Sequence, residues 1–126
     1  MTGFTLDTGA LIALERGERR VTALLERALA MPGAILHIPA GVLAQAFRGR
    51  PRQARLARLL GHDRTRVVPL DAVVAQLAGV LLGARGGEDV VDASVIICAR
   101  RYSQPVVTGD PDDLLRLDPK LLLEVV

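Results

Sequence analysis

Residues 4 to 18 read FTLDTGALIALERGE. Phe4, Thr5 and Leu6 lean towards a strand, and TGALIALE towards a helix that stops at Gly17. Asp7 stands at the junction, with no lysine or arginine within two residues to balance it. An aspartate there can cap the helix. It can also be the first member of a cluster whose other members lie far along the chain. A strand that runs directly into a helix is the opening unit of an alternating β/α chain, so the rest of the sequence decides which fold this is.

The alternation continues. ERRVTALLERALAM (18–31) carries Val21, Leu24, Leu25, Ala28 and Leu29 at helical spacing, before a break at Pro32-Gly33. AILHI (34–38) reads as a strand ended by Pro39, and GVLAQAFRG (41–49) as a short helix. Pro51 suits the first position of a helix PRQARLARLLG (51–61). RVVPL (66–70) is strand-like, and Asp71 caps a long apolar helix, AVVAQLAGVLLGA. After Gly86-Gly87 come a helix, DVVDASVIICARRY (89–102), a strand, PVVT (105–108), a short helix, DPDDLLRL (110–117), and a last strand, LLLEVV (121–126). Short apolar strands alternating with helices predict an α/β domain of three layers around a central, mostly parallel sheet. The 126 residues make one domain, 1–126.

Composition narrows the function. Half the residues are hydrophobic, yet there are only two Phe, one Tyr and no Trp, so the core must be aliphatic. No apolar run approaches the roughly 20 residues that cross a bilayer, and MTGFTLD has no basic stretch with an apolar run behind it. A cytoplasmic protein without a membrane partner is expected. Cys98 is the only cysteine, which excludes an internal disulfide, and its run ASVIICA suits a buried, inert thiol. The net charge of +2 says little, but its distribution says more. Seven arginines and one acid lie between Arg48 and Arg66, whereas residues 88–118 hold seven of the fourteen acids.

In such a fold, ligands gather beyond the carboxyl ends of the strands. Asp7 and Asp110 follow strands there, Asp89 and Asp92 open a helix, and Asp112 and Asp113 trail Asp110. Capping explains each one singly, but would use Ser, Thr and Asn as freely as Asp. Several carboxylates without counter-charge repel one another and raise their own pKa values. A hard divalent cation with oxygen ligands relieves that. Neither a zinc spacing nor a nucleophile elbow is present, and His37 and His62 are isolated.

LDTGALIALE, DVVDASVIICARR and VVTGDPDDLLRL, in this order and covering nearly the whole chain, resemble the PIN-domain ribonucleases, specifically the VapC toxins of bacterial toxin–antitoxin pairs. The resemblance implies a PIN-like α/β/α fold and a metal-dependent endoribonuclease that hydrolyses RNA phosphodiester bonds. Carried over by position, Asp7, Asp92, Asp110 and Asp113 would be catalytic, with Asp7, Asp92 and Asp110 on Mg²⁺ or Mn²⁺. Asp89, Asp112 and Thr108 are further candidates. One position departs: Gln45 stands where the family has a Glu, and its carbonyl can orient a water but brings no charge. That departure keeps open an alternative, a catalytically weakened or silent module that binds RNA or a partner.

An acidic centre needs a basic rim to hold RNA. Arg48, Arg52, Arg55 and Arg58 are the candidates, the last three forming one strip of the helix from Pro51. With so few aromatics there is no stacking platform, so contacts should fall on phosphates. The resemblance also implies a VapB-like antitoxin partner and a homodimer. Leu11, Leu14, Leu24, Leu25 and Val42 exceed the needs of a small core and offer a groove for a partner's helix.

Overall fold

The structure, a computed structural model, describes residues 2–126. Five strands, β1 (Gly3–Leu6), β2 (Ile35–Pro39), β3 (Thr65–Val68), β4 (Val106–Thr108) and β5 (Leu123–Val125), form one sheet in the order β3-β2-β1-β4-β5. Every neighbouring pair is parallel, so the sheet expected to be mostly parallel is wholly so. The cause is connectivity. Each of the first four strands is followed by helix, and a crossover returns the chain in the same direction.

Seven helices make the crossovers: α1 (Thr8–Glu15), α2 (Arg19–Ala30), α3 (Ala40–Ala46), α4 (Ala54–Leu60), α5 (Ala72–Arg85), α6 (Val90–Tyr102) and α7 (Pro111–Leu117). The first two crossovers step one way across the sheet and the last two the other way. With the usual right-handed crossover, α1 to α4 cover one face and α5 to α7 the opposite one. Contacts agree: α1 packs on α2, α3 and α4, and α7 on α5 and α6. Leu6, Leu36, Ile38, Val106 and Val107 of the strands are fully buried between Leu11, Val21, Val42 and Leu56 on one side and Val95, Ile96 and Leu114 on the other. The core is aliphatic, and each such side chain contributes roughly 1.5–3 kcal/mol when buried.

Three sequence expectations change. Pro39 does end the second strand, but from inside it, one residue later than the expected 34–38. It is the last residue of β2, paired with Val68, and its extended backbone makes it the N-cap of α3. The helix from Pro51 starts as a 3-10 turn, Pro51–Gln53, before α4. Gln53 is tied backwards to the end of α3: its amide N–H donates to the Ala46 carbonyl at 2.8 Å, and its carbonyl accepts from the Arg48 backbone N–H at 2.8 Å. That anchor pulls Arg52 off the register of α4. Finally, Leu11 and Val42 are not surplus, being fully buried core. Leu14 and Leu25 do line an open groove, together with Thr22, Leu29, Leu59, Arg55 and Arg58.

One buried polar network ties the strands together. Thr5 donates its hydroxyl to the Gln104 side-chain carbonyl at 3.1 Å, and His37 Nδ1 meets the same oxygen at 2.9 Å. The Gln104 amide donates to the Ile35 carbonyl at 2.9 Å. His37 stacks on Tyr102 and is held neutral by burial, so it is a strand residue, as expected. Cys98 is buried, which pushes its thiol up to about 11 and leaves it inert.

Candidate active site

β1 and β4 are neighbours at the point where the connectivity reverses, the place where a parallel sheet of this kind holds its ligands. Asp7 follows β1 directly, and Asp110 stands two residues after β4. The two corners are in close contact. A β-carbon on Gly9 would lie 3.1 Å from the Gly109 backbone, so glycine lets the first turn of α1 meet the β4–α7 loop.

Asp7 is buried, 7 % exposed, and has no ion pair among the described residues. One oxygen caps α1 by accepting the Ala10 N–H at 2.8 Å. Burial raises its pKa above the ordinary carboxylate value. Hydrogen bonds from the Thr108 hydroxyl and from the N–H groups of Ala10 and Gly109 oppose that, while the charge of Asp110 adds to it. Thr108 is fully buried, and its hydroxyl oxygen also accepts the Asp110 N–H at 2.9 Å. It therefore lies beside Asp7 while holding Asp110.

Asp92 lies in the first turn of α6, and its backbone N–H is capped by Asp89 at 2.9 Å. Its pKa is pushed up to about 6, first by burial, then by the charges of Asp89, Asp113 and Asp7. Asp110 is raised by a hydrogen bond to the Asp113 carboxyl group, by desolvation and by the charges of Asp113 and Asp112. Asp113 also faces Arg116 at 3.5 Å, an exposed pair of small worth. Asp7, Asp92, Asp110 and Asp113 thus come together electrostatically. Asp89 adjoins them as a cap, and Asp112 is exposed at the margin.

The donor set, all hard oxygen, suits Mg²⁺ or Mn²⁺. The buried Asp7 without a cation, and acids that raise one another's pKa values, are the pattern a divalent ion neutralises. As placed, no three acids among the described residues stand close enough to hold one ion between them. The fit is in chemistry and charge rather than in a finished coordination shell.

Gln45 is exposed on α3, and its side-chain carbonyl accepts the Thr8 hydroxyl at 2.6 Å. It is thereby fixed beside the residue that follows Asp7. Gln45 lines a cleft of about 470 Å³ with Ile12, Glu15, Arg16, Arg48 and Arg52. The four arginines expected to bind RNA do not share one surface: Arg48 and Arg52 line this cleft, while Arg55 and Arg58 line the groove between α2 and α4. Two further residues stand at this cleft that the sequence reading did not single out, Arg16 in its lining and Thr8 on Gln45. Arg16 was findable, since it lies four residues after Ile12 and one helical turn further along the same face of α1.

Residues 4–119 match the family model described as PIN domain. No curated protein matches the chain. Among solved structures, the chain is similar to one from VapBC2 of Rickettsia felis bound to a promoter DNA fragment, with a TM-score of 0.71, 20% identity, and 98% of each chain covered. A toxin–antitoxin complex from Klebsiella pneumoniae matches with a TM-score of 0.68 and 19% identity over 88% of this chain and 89% of the other. Mycobacterium tuberculosis VapC20, a sarcin–ricin-loop-cleaving toxin, matches with a TM-score of 0.64 and 16% identity over 88% and 94%.

Proposed function

The chain belongs to the PIN domain family, and from that premise we propose that it is a metal-dependent endoribonuclease, the toxin of a VapBC-type toxin–antitoxin pair. One observation carries the reading. Asp7, Asp92 and Asp110 face the switch point of the sheet with no ion pair among the described residues, Asp113 beside them has only an exposed arginine, and burial together with the neighbouring acids raises Asp92 to about 6. A structural role needs no such mutual repulsion.

Asp7, Asp92 and Asp110 would hold Mg²⁺ or Mn²⁺. Bound there, the ion would supply Lewis acidity towards a phosphate oxygen and lower the pKa of an attacking water. The chain's own residues prepare the place. Asp7 is fixed by its cap on α1, Thr108 holds the backbone of Asp110, and Asp89 fixes the start of α6 and so Asp92. Asp113, whose charge acts on both Asp110 and Asp92, would position a water or a proton next to the ligands.

An antitoxin partner and a second copy of the chain complete the proposal. The structurally similar chains come from toxin–antitoxin assemblies, which supports the first. No helix among the described residues is long and apolar enough to cross a membrane, in keeping with a cytoplasmic site of action. Gln45 favours the alternative, a silent RNA- or partner-binding module, because its carbonyl is already engaged by Thr8 and it brings no charge. The two readings separate in one assay. Purified protein with Mn²⁺ should cleave structured RNA and stop on addition of EDTA. RNA binding without cleavage at any divalent concentration would leave only the silent module.

A further inference from the structure

Resting on the ribonuclease reading and going beyond it, we propose that Arg16, Arg48, Arg52 and the Gln45 amide form a phosphate subsite for the RNA strand leaving the carboxylate centre, and that Arg55 and Arg58 take no part in it.

The helix α1 divides the surface. Ile12, Glu15 and Arg16 face the cleft that holds Gln45, Arg48 and Arg52, whereas Leu14 faces the groove that holds Arg55 and Arg58. At about 100° per residue these are nearly opposite sides of one helix. Ile12 and Arg16 also line a second cleft with Gly9, Gly109 and Asp110. Arg16 therefore stands between the acidic centre and the basic cleft, where a strand passing from one to the other must cross it.

The cleft offers donors almost exclusively. The Arg16 side chain has no hydrogen-bond or ion-pair partner among the described residues, so its guanidinium is free for a ligand. Arg48 spends one nitrogen on the Ala44 and Phe47 carbonyls, at 2.9 and 3.0 Å, which fixes its side chain and leaves its other N–H groups available. Its backbone is held by Gln53, which is 3 % exposed and bonded on both sides of its amide. Glu15 is the single acid in the cleft, and Arg52 faces it at 3.7 Å. The Gln45 carbonyl accepts from Thr8, and its NH₂ group meets no acceptor among the described residues. A Gln so placed suits a phosphate oxygen better than a cation. Arg55, by contrast, turns to the end of α1, donating to the Glu15 carbonyl at 3.4 Å.

The test is binding of a labelled single-stranded oligoribonucleotide in EDTA, read as the slope of log affinity against log salt. Each lost phosphate contact flattens that slope by roughly 0.7 for a single strand. The triple variant Arg16→Gln, Arg48→Gln, Arg52→Gln should flatten it by about 2, while Arg55→Gln with Arg58→Gln leaves it unchanged. Arg16→Gln alone, which removes no contact within the fold, should flatten it by about 0.7 and covers the case in which the triple variant does not fold. Gln45→Glu should lower affinity several-fold by exchanging donors for a charge. Flattening by the Arg55 and Arg58 pair alone, with Mn²⁺-dependent cleavage by the wild type intact, would overturn the subsite and spare the nuclease. A wild type that neither binds nor cleaves RNA would overturn both.

Discussion

At the scale of the residue, the acids divide by what burial and neighbours do to each. Asp92 shows the cost of gathering them. The unfolded chain releases its proton near 3.8 and the native one at about 6. Between those values the native state binds more protons, so its contribution to stability is full below the lower value, falls as pH rises across the window and is flat above it. Asp92→Asn should remove that fall. Without divalent ions it should stabilise the protein at pH 7 by about 1–2 kcal/mol once solvent screening is allowed for, and change little at pH 3. Urea unfolding at the two pH values measures this, and equal gains at both would mean that neither burial nor repulsion of the Asp92 carboxylate is the cause. Asp7, Asp92, Asp110 and Asp113 were legible in the sequence because each follows a strand or opens a helix. The place of Arg16 was legible only as a position on one face of α1, because what distinguishes it is a cleft formed with α3, and one helix's sequence says nothing of what packs beside it.

At the scale of the element, the decisive feature is the meeting of the β1–α1 and β4–α7 corners at Gly9 and Gly109. Gly9→Ala would place a methyl 3.1 Å from the Gly109 backbone, which has no flexible side chain to move aside. A loss of about 1–2 kcal/mol is expected from such overpacking. Cleavage should fall with it, since the shift acts on the loop that carries Asp110. Chemical unfolding and a cleavage assay on the same sample check both parts, and a variant with wild-type stability and activity would show that the corners need no close approach. Alternation of strands and helices was readable from periodicity because each element buries one face. The start of α4 was not. Pro51 suits an α-helical first position, but the long-range pull of Gln53 on the end of α3 tightens that turn to 3-10. Such a bond depends on the path of the intervening loop, which local propensity does not record.

At the scale of the molecule, the fold explains why charge is sorted as it is. A wholly parallel sheet sends the carboxyl ends of all its strands to one edge, so the acids after β1 and β4 and at the start of α6 gather there. The arginines after α3 are carried to the flank of α1, beside that edge rather than within it. An acidic centre with a basic margin follows from where this topology carries those residues, which is the arrangement the proposed RNA substrate requires. The most direct test is RNA cleavage in Mn²⁺ by the wild type, Asp7→Asn and Asp92→Asn, with circular dichroism on each. Asn keeps the cap that Asp7 provides, so both variants should fold. Cleavage by the wild type and its loss, by at least a hundredfold, in both folded variants is the expected result; undiminished cleavage by both would contradict the assignment of the carboxylate centre.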